Sequence, residues 1–168
     1  MKLRNLKVKD APFMLEWMHD FSIVSDLNAD FCNKDIEDCE KFIIDAQESS
    51  EDRHWAIIDD NDEYMGTVSL KHIKKENAEF AIVVRKKAMA KGYSKYAINE
   101  VLRIGLEEMK LKEIYWCVNK NNMRAIKFYD KNGYSKVDIY NSNSIKSIIE
   151  CGIYSKEQIN SYIWYVVN

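Results

Sequence analysis

The stretch from residue 79 to residue 109 constrains the fold most. "EFAIVV" is a run of β-forming residues, "RKKAMAKG" is a cationic loop ending in glycine, and "YSKYAINEVLRIGLEEM" places Ile98, Val101, Leu102, Gly105 and Met109 on one helical stripe. A helix with such a stripe needs an apolar layer to pack against, and the neighbouring segments read as a sheet. "HWAIID" and "YMGTVSLKHI" form a hairpin around "DNDE", "KKEN" turns into "AEFAIVV", and "EIYWCV" is a further β-rich run.

Earlier in the chain, "KLRNLKV" reads as a strand, and Asp10 caps a helix over "APFMLEWMHDF" with Pro12 in its first turn. "KDIEDCEKFIIDAQ" is a second helix. "YSKVDIY" and "SYIWYVV" read as strands near the end of the chain. Residues 141–160 carry only a short helical signal at Ile145, Ile148 and Ile149. The order β-α-α-β-β-β-α-β-α-β-(insert)-β gives an α/β fold, one mixed sheet flanked by helices. With 168 residues, no linker and no repeat, the expectation is a single domain over 1–168.

Apolar residues make up 46% and charged residues 31%, with a net charge of −2 and the signs interspersed. That balance gives no basic surplus for nucleic-acid binding. "MKLRNLKVKD" has no apolar run behind its charges, and no segment approaches the roughly 18 apolar residues of a spanning helix. A cytoplasmic protein without a membrane anchor is expected. Cys32, Cys39, Cys117 and Cys151 form no CxxC pair, and with three scattered histidines they offer no metal-ligand spacing. Buried or idle thiols are expected.

Two places carry chemistry. In the loop before the long helix, Arg85, Lys86, Lys87 and Lys91 add charge, and Gly92 lets backbone come close to a ligand at a helix N-terminus. That is a phosphate cradle in physical terms; taken alone, the loop reads rather as a solvated basic loop with a flexible glycine. The second place is "NKNNMRAIKFYDKNGY", residues 119–134. A helix starts at Asn122 and stops at Asn132-Gly133. Asn122 and Tyr129 share one face, about 10 Å apart, with small Ala125 between them. Such a face suits an extended ligand; taken alone, Asn122 as a cap and Tyr129 as a packing ring account for both.

Together the two elements resemble the GNAT superfamily of acetyl-CoA-dependent N-acetyltransferases, over about residues 1–140 in element order. The family's loop pattern Q/R-x-x-G-x-G/A falls on "KAMAKG": Lys87 stands for Gln or Arg, Ala90 for the first glycine, and Gly92 keeps the second. Ala90 still allows close approach if its φ is negative. The pattern N-x-x-A-x-x-x-Y-x-K-x-G-[FY] is matched throughout by Asn122, Ala125, Tyr129, Lys131, Gly133 and Tyr134. "DAPFMLEWMHD" and "YMGTVSL" look like the branch of ribosomal-protein, amino-sugar and polyamine acetyltransferases.

The resemblance implies a mostly antiparallel mixed sheet with splayed middle strands. The pantetheine arm of acetyl-CoA would pair with Ile82, Val83 and Val84 like an added strand. The N–H groups of Ala88, Met89, Ala90, Lys91, Gly92, Tyr93 and Ser94, with Lys87 beside them, would hold the pyrophosphate. Asn119 and Asn122 would bond the arm, and Lys131 belongs to the same motif. A substrate amine would attack the thioester directly, without a metal or a nucleophilic Ser or Cys. Tyr129 is then the candidate acid and Glu79 the candidate base, acting through water. His72 on the adjacent strand is the best rival base, ahead of His19, His54, Asp130 and Glu16.

The alternative is a catalytically degenerate acyl-CoA-binding domain acting as sensor or scaffold, suggested by Lys87 and Ala90. A homodimer is admitted, with "YIWYVV" as its edge. Selectivity for the amine falls to residues 17–35 and 141–160, where Asp20, Asp26 and Asp30 could attract a cation. A protein N-terminus, an amino sugar and a polyamine all stay open.

Overall fold

In the computed structural model, residues 1–27, 29–139, 142–150 and 152–168 are described. The strands are β1 (Lys2–Asn5), β2 (Arg53–Ile58), β3 (Tyr64–Lys74), β4 (Asn77–Val84), β5 (Glu113–Asn119), β6 (Lys136–Val137) and β7 (Tyr162–Val167). They form one sheet in the order β1-β2-β3-β4-β5-β7-β6. Every pairing is antiparallel except β4 with β5. The helices are α1 (Ala11–Met18), α2 (Phe21–Val24), α3 (Ile36–Glu48), α4 (Tyr93–Arg103), α5 (Met123–Lys131), α6 (Asn143–Glu150) and α7 (Lys156–Ser161).

The pleat divides the strand residues between two faces. Ile57, Leu70, Phe80, Ile114 and Trp116 pack with Ile98, Val101, Ile126 and Tyr129 of α4 and α5. Ala56, Ile58 and Tyr64 pack with Met14, Trp17 and Ile43 of α1 and α3. Tyr115, between Ile114 and Trp116, joins Ile145, Ile148, Ile159 and Trp164 in a third cluster under α6 and α7. The mixed sheet flanked by helices is thus the architecture expected, and its strands 4 and 5 do splay. No described helix is long and apolar enough to cross a membrane.

Several boundaries differ from the sequence expectation. The first strand stops at Asn5 because a 3₁₀ turn, Val8–Asp10, follows. Asp10 stands at the start of α1 but makes no side-chain cap. Its buried carboxylate instead accepts from Arg4 Nη1 and Nη2 (2.7 and 2.8 Å) and from the Lys7 N–H (2.9 Å). The helix from 11 breaks at His19, and Asp20 caps the separate α2. The long helix leaves α geometry after Arg103 and finishes as a π-helical turn, Ile104–Glu108. The strand expected over 134–140 shrinks to Lys136–Val137; Tyr140 lies outside the described residues. The insert holds α6, as its isoleucines suggest, and also α7, whose cap Ser155 accepts from the Gln158 N–H (3.2 Å). β7 is not an edge: β5 flanks it on one side and β6 on the other.

Candidate active site

The parallel pairing of β4 and β5 covers only Asn77↔Glu113, Ala78↔Ile114 and Glu79↔Tyr115. Past that point the strands part. β4 stays bonded to β3 through Gly66↔Val84, and β5 stays bonded to β7 through Asn119↔Tyr162. The edge of β4 facing the gap therefore keeps backbone donors and acceptors that no strand takes up. Large rings fill the base of the V: Trp116 meets Phe80 edge-on at 5.5 Å, Tyr129 at 5.3 Å, and stacks on Tyr165 at 5.5 Å. Trp116 Nε1 is buried without a partner among the described residues. It is an unsatisfied donor in the wall of the gap.

Two cavities meet in the gap. One of about 270 Å³ is walled by Asp26, Phe31, Lys71, Glu79, Cys117, Asn119 and Tyr154. The other, of about 370 Å³, is walled by Ile23, Val84, Met89, Ala90, Ser94, Arg124 and Phe128. Leu27, Ile82, Val83, Asn122, Ala125 and Tyr129 line both. The Asn122–Tyr129 face of α5 is thus the common wall.

Local chemistry sets each side chain there. Asn122 Oδ1 caps α5 by accepting from the Ala125 N–H (2.9 Å), and Asn119 Oδ1 accepts from the Asn121 N–H (2.9 Å). Both amides keep their NH₂ groups as donors for a ligand. Tyr129 is 5% exposed, and its hydroxyl has no hydrogen-bond partner among the described residues. Burial pushes its pKa well up, so the phenol stays protonated at neutral pH.

The loop into α4 corrects one expectation. Ala90 does not have a negative φ: it stands at +59°, and Gly92 follows at +87°. Both family glycine positions therefore need left-handed backbone, and Ala90 adopts it against the Cβ penalty. The N–H groups of Ala88, Met89 and Lys91 already bond the carbonyls of Arg85, Lys86 and Ala88. Those of Ala90, Gly92, Tyr93 and Ser94 take no part in these bonds, and they open the N-terminus of α4. Ala88 is itself buried in the core, and Tyr93 packs against it. Lys91 and Gly92 are exposed on the loop.

The cationic loop also divides. Arg85 is buried, not displayed: it donates to Glu16 (3.1 and 2.5 Å), Glu63 (2.8 Å) and the Tyr64 carbonyl (2.9 Å), with Phe13 below its guanidinium. Lys87 turns to Glu63 (2.7 Å). Lys131, in the last turn of α5, is exposed and lines neither cavity.

Glu79 is not a solvated strand end. It is 4% exposed, in the wall of the smaller cavity. A bulge in β3 places one extra residue between the pairs Lys71↔Glu79 and Lys74↔Asn77. His72 sits in it at φ +51°, and both Lys71 and His72 then reach the same carboxylate. Lys71 Nζ lies 3.3 Å from Oε1 and His72 Nδ1 2.9 Å from Oε2. The Tyr154 hydroxyl donates to Oε1 at 2.7 Å. Burial works to raise the Glu79 pKa, but His72, Lys71 and Tyr154 together outweigh it and hold the pKa below its ordinary value.

The rival residues are engaged elsewhere. His54 is half-buried with Nδ1 2.8 Å from Ser69 Oγ, and burial lowers its pKa. His19 Nε2 lies 2.8 Å from the Lys34 carbonyl oxygen, Glu16 holds Arg85, and Asp130 pairs with Lys136 (2.9 Å). Cys117 lines the cavity, but burial and the Glu79 charge push its thiol up to about 12, which removes it as a nucleophile. Cys39 is buried and Cys32 exposed; Cys151 lies outside the described residues. Among the described residues, no cluster of His, Cys, Asp and Glu could hold a metal. Of the three acids flagged in residues 17–35, Asp26 reaches the cavity, while Asp20 caps α2 and Asp30 accepts from Asn33 (2.7 Å). Tyr154 escaped sequence reasoning because residues 141–160 have little periodicity. Lys71 was hidden by the bulge: counting back along the hairpin from its turn puts His72, not Lys71, opposite Glu79.

Residues 1–135 match the family model described as an acetyltransferase (GNAT) domain. The chain is 21% identical over 141 residues to the acetyltransferase PseH of Campylobacter jejuni, covering 82% of this chain and 87% of that protein. A spermidine N-acetyltransferase from Vibrio cholerae, solved with CoA and spermine, superposes with a TM-score of 0.73 at 22% identity, over 82% of each chain. A GNAT-family acetyltransferase from Bacillus anthracis gives a TM-score of 0.75 at 18% identity, over 98% of this chain and 92% of that one.

Proposed function

The chain belongs to the GNAT family of acetyltransferases, which use acetyl-CoA, and from that premise we propose that it acetylates a primary amine by direct attack in a ternary complex. The observation that carries this reading is the early end of the β4–β5 pairing at Glu79↔Tyr115, which leaves a strand edge open beside the Asn122–Tyr129 face.

The residues fit the cofactor. The open edge of Ile82, Val83 and Val84 offers backbone groups to the amides of a pantetheine arm. The NH₂ groups of Asn119 and Asn122 donate to its carbonyls. The N–H groups of Ala90, Gly92, Tyr93 and Ser94 are then the donors for a phosphate at the positive end of α4. When bound, acetyl-CoA supplies the activated acetyl thioester. The smaller cavity receives the amine, and Glu79 accepts its proton there, directly or through water. In this reading Tyr129 Oη, unpartnered among the described residues and protonated, donates a proton to the departing sulfur. The degenerate-domain reading is not favoured, since Ala90 itself adopts the backbone its glycine counterpart would use.

The acceptor wall combines Asp26 and Glu79 with Lys71. Amino sugars, polyamines and peptides with free N-termini form the assay panel. Acetyl-CoA at millimolar concentration is expected to raise the melting temperature by mass action, and at least one amine is expected to release free thiol. Gly92→Val, which forces a β-branched residue into φ +87°, abolishes the shift while the apo protein still melts cooperatively. No shift at all with the parent protein would end the reading.

A further inference from the structure

We propose that His72 and Tyr154 are positioning residues for the reaction, fixing the two oxygens of Glu79 so that the carboxylate is held, ionised, against the acceptor cavity. This rests on the reading that Glu79 accepts the amine proton.

A carboxylate at 4% exposure is unfavourable unless every oxygen is bonded. Here Oε2 faces His72 Nδ1 at 2.9 Å, and Oε1 accepts from Tyr154 at 2.7 Å. His72 makes the first contact from a backbone conformation that costs energy. His72 stands at φ +51° within a bulge, a region that a non-glycine residue enters only under constraint. The Asp52 carboxylate holds that conformation by accepting from the His72 N–H at 2.8 Å. Without the extra residue, His72 would stand opposite Glu79 and Lys71 would be out of register with it; the bulge brings both to one carboxylate. The second contact comes from far along the chain. Tyr154 precedes α7, and its ring is seated edge-on against Tyr162 and Trp164, at 6.1 and 5.5 Å.

The ring of His72 lines neither cavity, so it acts on substrate only through Glu79. The charged and titratable groups around Glu79 are Lys71 and His72 from β3, Tyr154 before α7, Cys117 from β5, and Asp26 across the cavity. Asp52 and His54 lie behind His72. Two of these groups are predicted to set where the base loses its charge. Removing either donor leaves burial less opposed, which raises the pKa of Glu79.

The test is the pH profile of kcat/KM, measured with acetyl-CoA and an amine that the panel identifies. His72→Gly removes the ring and suits φ +51°, so folding is kept. It is expected to lower kcat by roughly 10-fold and to move the acid limb upward by about one pH unit, with the KM for acetyl-CoA unchanged. His72→Asn is expected to restore the parental limb, because its Nδ2 can stand where Nδ1 stood and asparagine tolerates left-handed backbone. Tyr154→Phe keeps the ring and moves the limb in the same direction as His72→Gly. A parental limb in both His72→Gly and Tyr154→Phe overturns the proposal. So does His72→Asn behaving like His72→Gly, which would make the imidazole itself the proton carrier. Glu79→Gln separates the two levels. If it turns over at the parental rate, the base reading fails and this proposal with it. If it is slow, on the order of 10²-fold, while the positioning variants are parental, only the positioning proposal fails.

Discussion

Tyr129 shows what a single side chain contributes in this gap. Its ring is buried among Trp116, Tyr134 and Tyr165, its hydroxyl bonds no described residue, and the residue lines both cavities. Tyr129→Phe is therefore expected to leave the melting temperature and the acetyl-CoA shift in place while turnover falls by roughly 10- to 1,000-fold. Parental turnover would make Tyr129 a packing residue alone. Tyr134→Phe is the control, since among the described residues the Tyr134 hydroxyl bonds Asn99 alone, at 3.4 Å, and phenylalanine keeps the ring. Ala90 gives the opposite kind of prediction. It bears a Cβ at φ +59°, a penalty of about 1–2 kcal/mol, against which glycine's extra freedom in the unfolded chain costs roughly 0.5–1 kcal/mol. Ala90→Gly is expected to stabilise the protein by about 0.5–1 kcal/mol, read as a rise in urea midpoint at constant slope. The roles of Asn122 and Tyr129 were legible because helical spacing alone puts them on one face. The φ of Ala90 was not, because a loop's dihedral angles are set by what its ends are tied to.

At the scale of elements, the hairpin β3–β4 holds the edge that faces the gap. Gly66 lies opposite Val84, and a Cβ there would come within 2.3 Å of the Val83 carbonyl oxygen and 2.9 Å of Val84 Cα. Both atoms are backbone, so the strands must separate. Gly66→Ala is expected to cost about 3 kcal/mol and to weaken acetyl-CoA binding, because Val83 and Val84 are the residues proposed to bond it. An urea melt and the ligand-induced shift measure the two effects separately. The strands themselves were readable from β-rich runs between turn signals. The bulge at His72 was not, since nothing in "SLKHIKKEN" marks where an extra residue is accommodated. The short α7 was also unmarked by periodicity, although Ser155 and Gln158 form the capping box that announces it.

For the whole molecule, the buried Glu79 ties stability to pH. Its pKa is lowered on folding, so its contribution is fully present above the ordinary value of 4.5 and is lost as pH falls through the folded value below it. As pH falls from about 5 to about 3 the parent is expected to lose melting temperature more steeply than Glu79→Gln, which has no proton to bind. Equal slopes in the two proteins would contradict the lowered pKa. What the sequence determined by itself is whatever depends on neighbours a few residues away: the helix stripes, the β-rich runs, the cap at Asn122, and the motif over residues 119–134 that marks the family. Tertiary structure alone decided the state of the charged groups. It buried Arg85 between Glu16 and Glu63, turned Lys87 to Glu63, and brought Lys71, His72 and Tyr154 around Glu79 from strands and loops up to 83 residues apart in the chain, counting from Lys71 to Tyr154 as 154 − 71. The reason is physical. A charge buried on folding must find a partner wherever the packed chain presents one, and that choice is made in space, with no period along the sequence to record it.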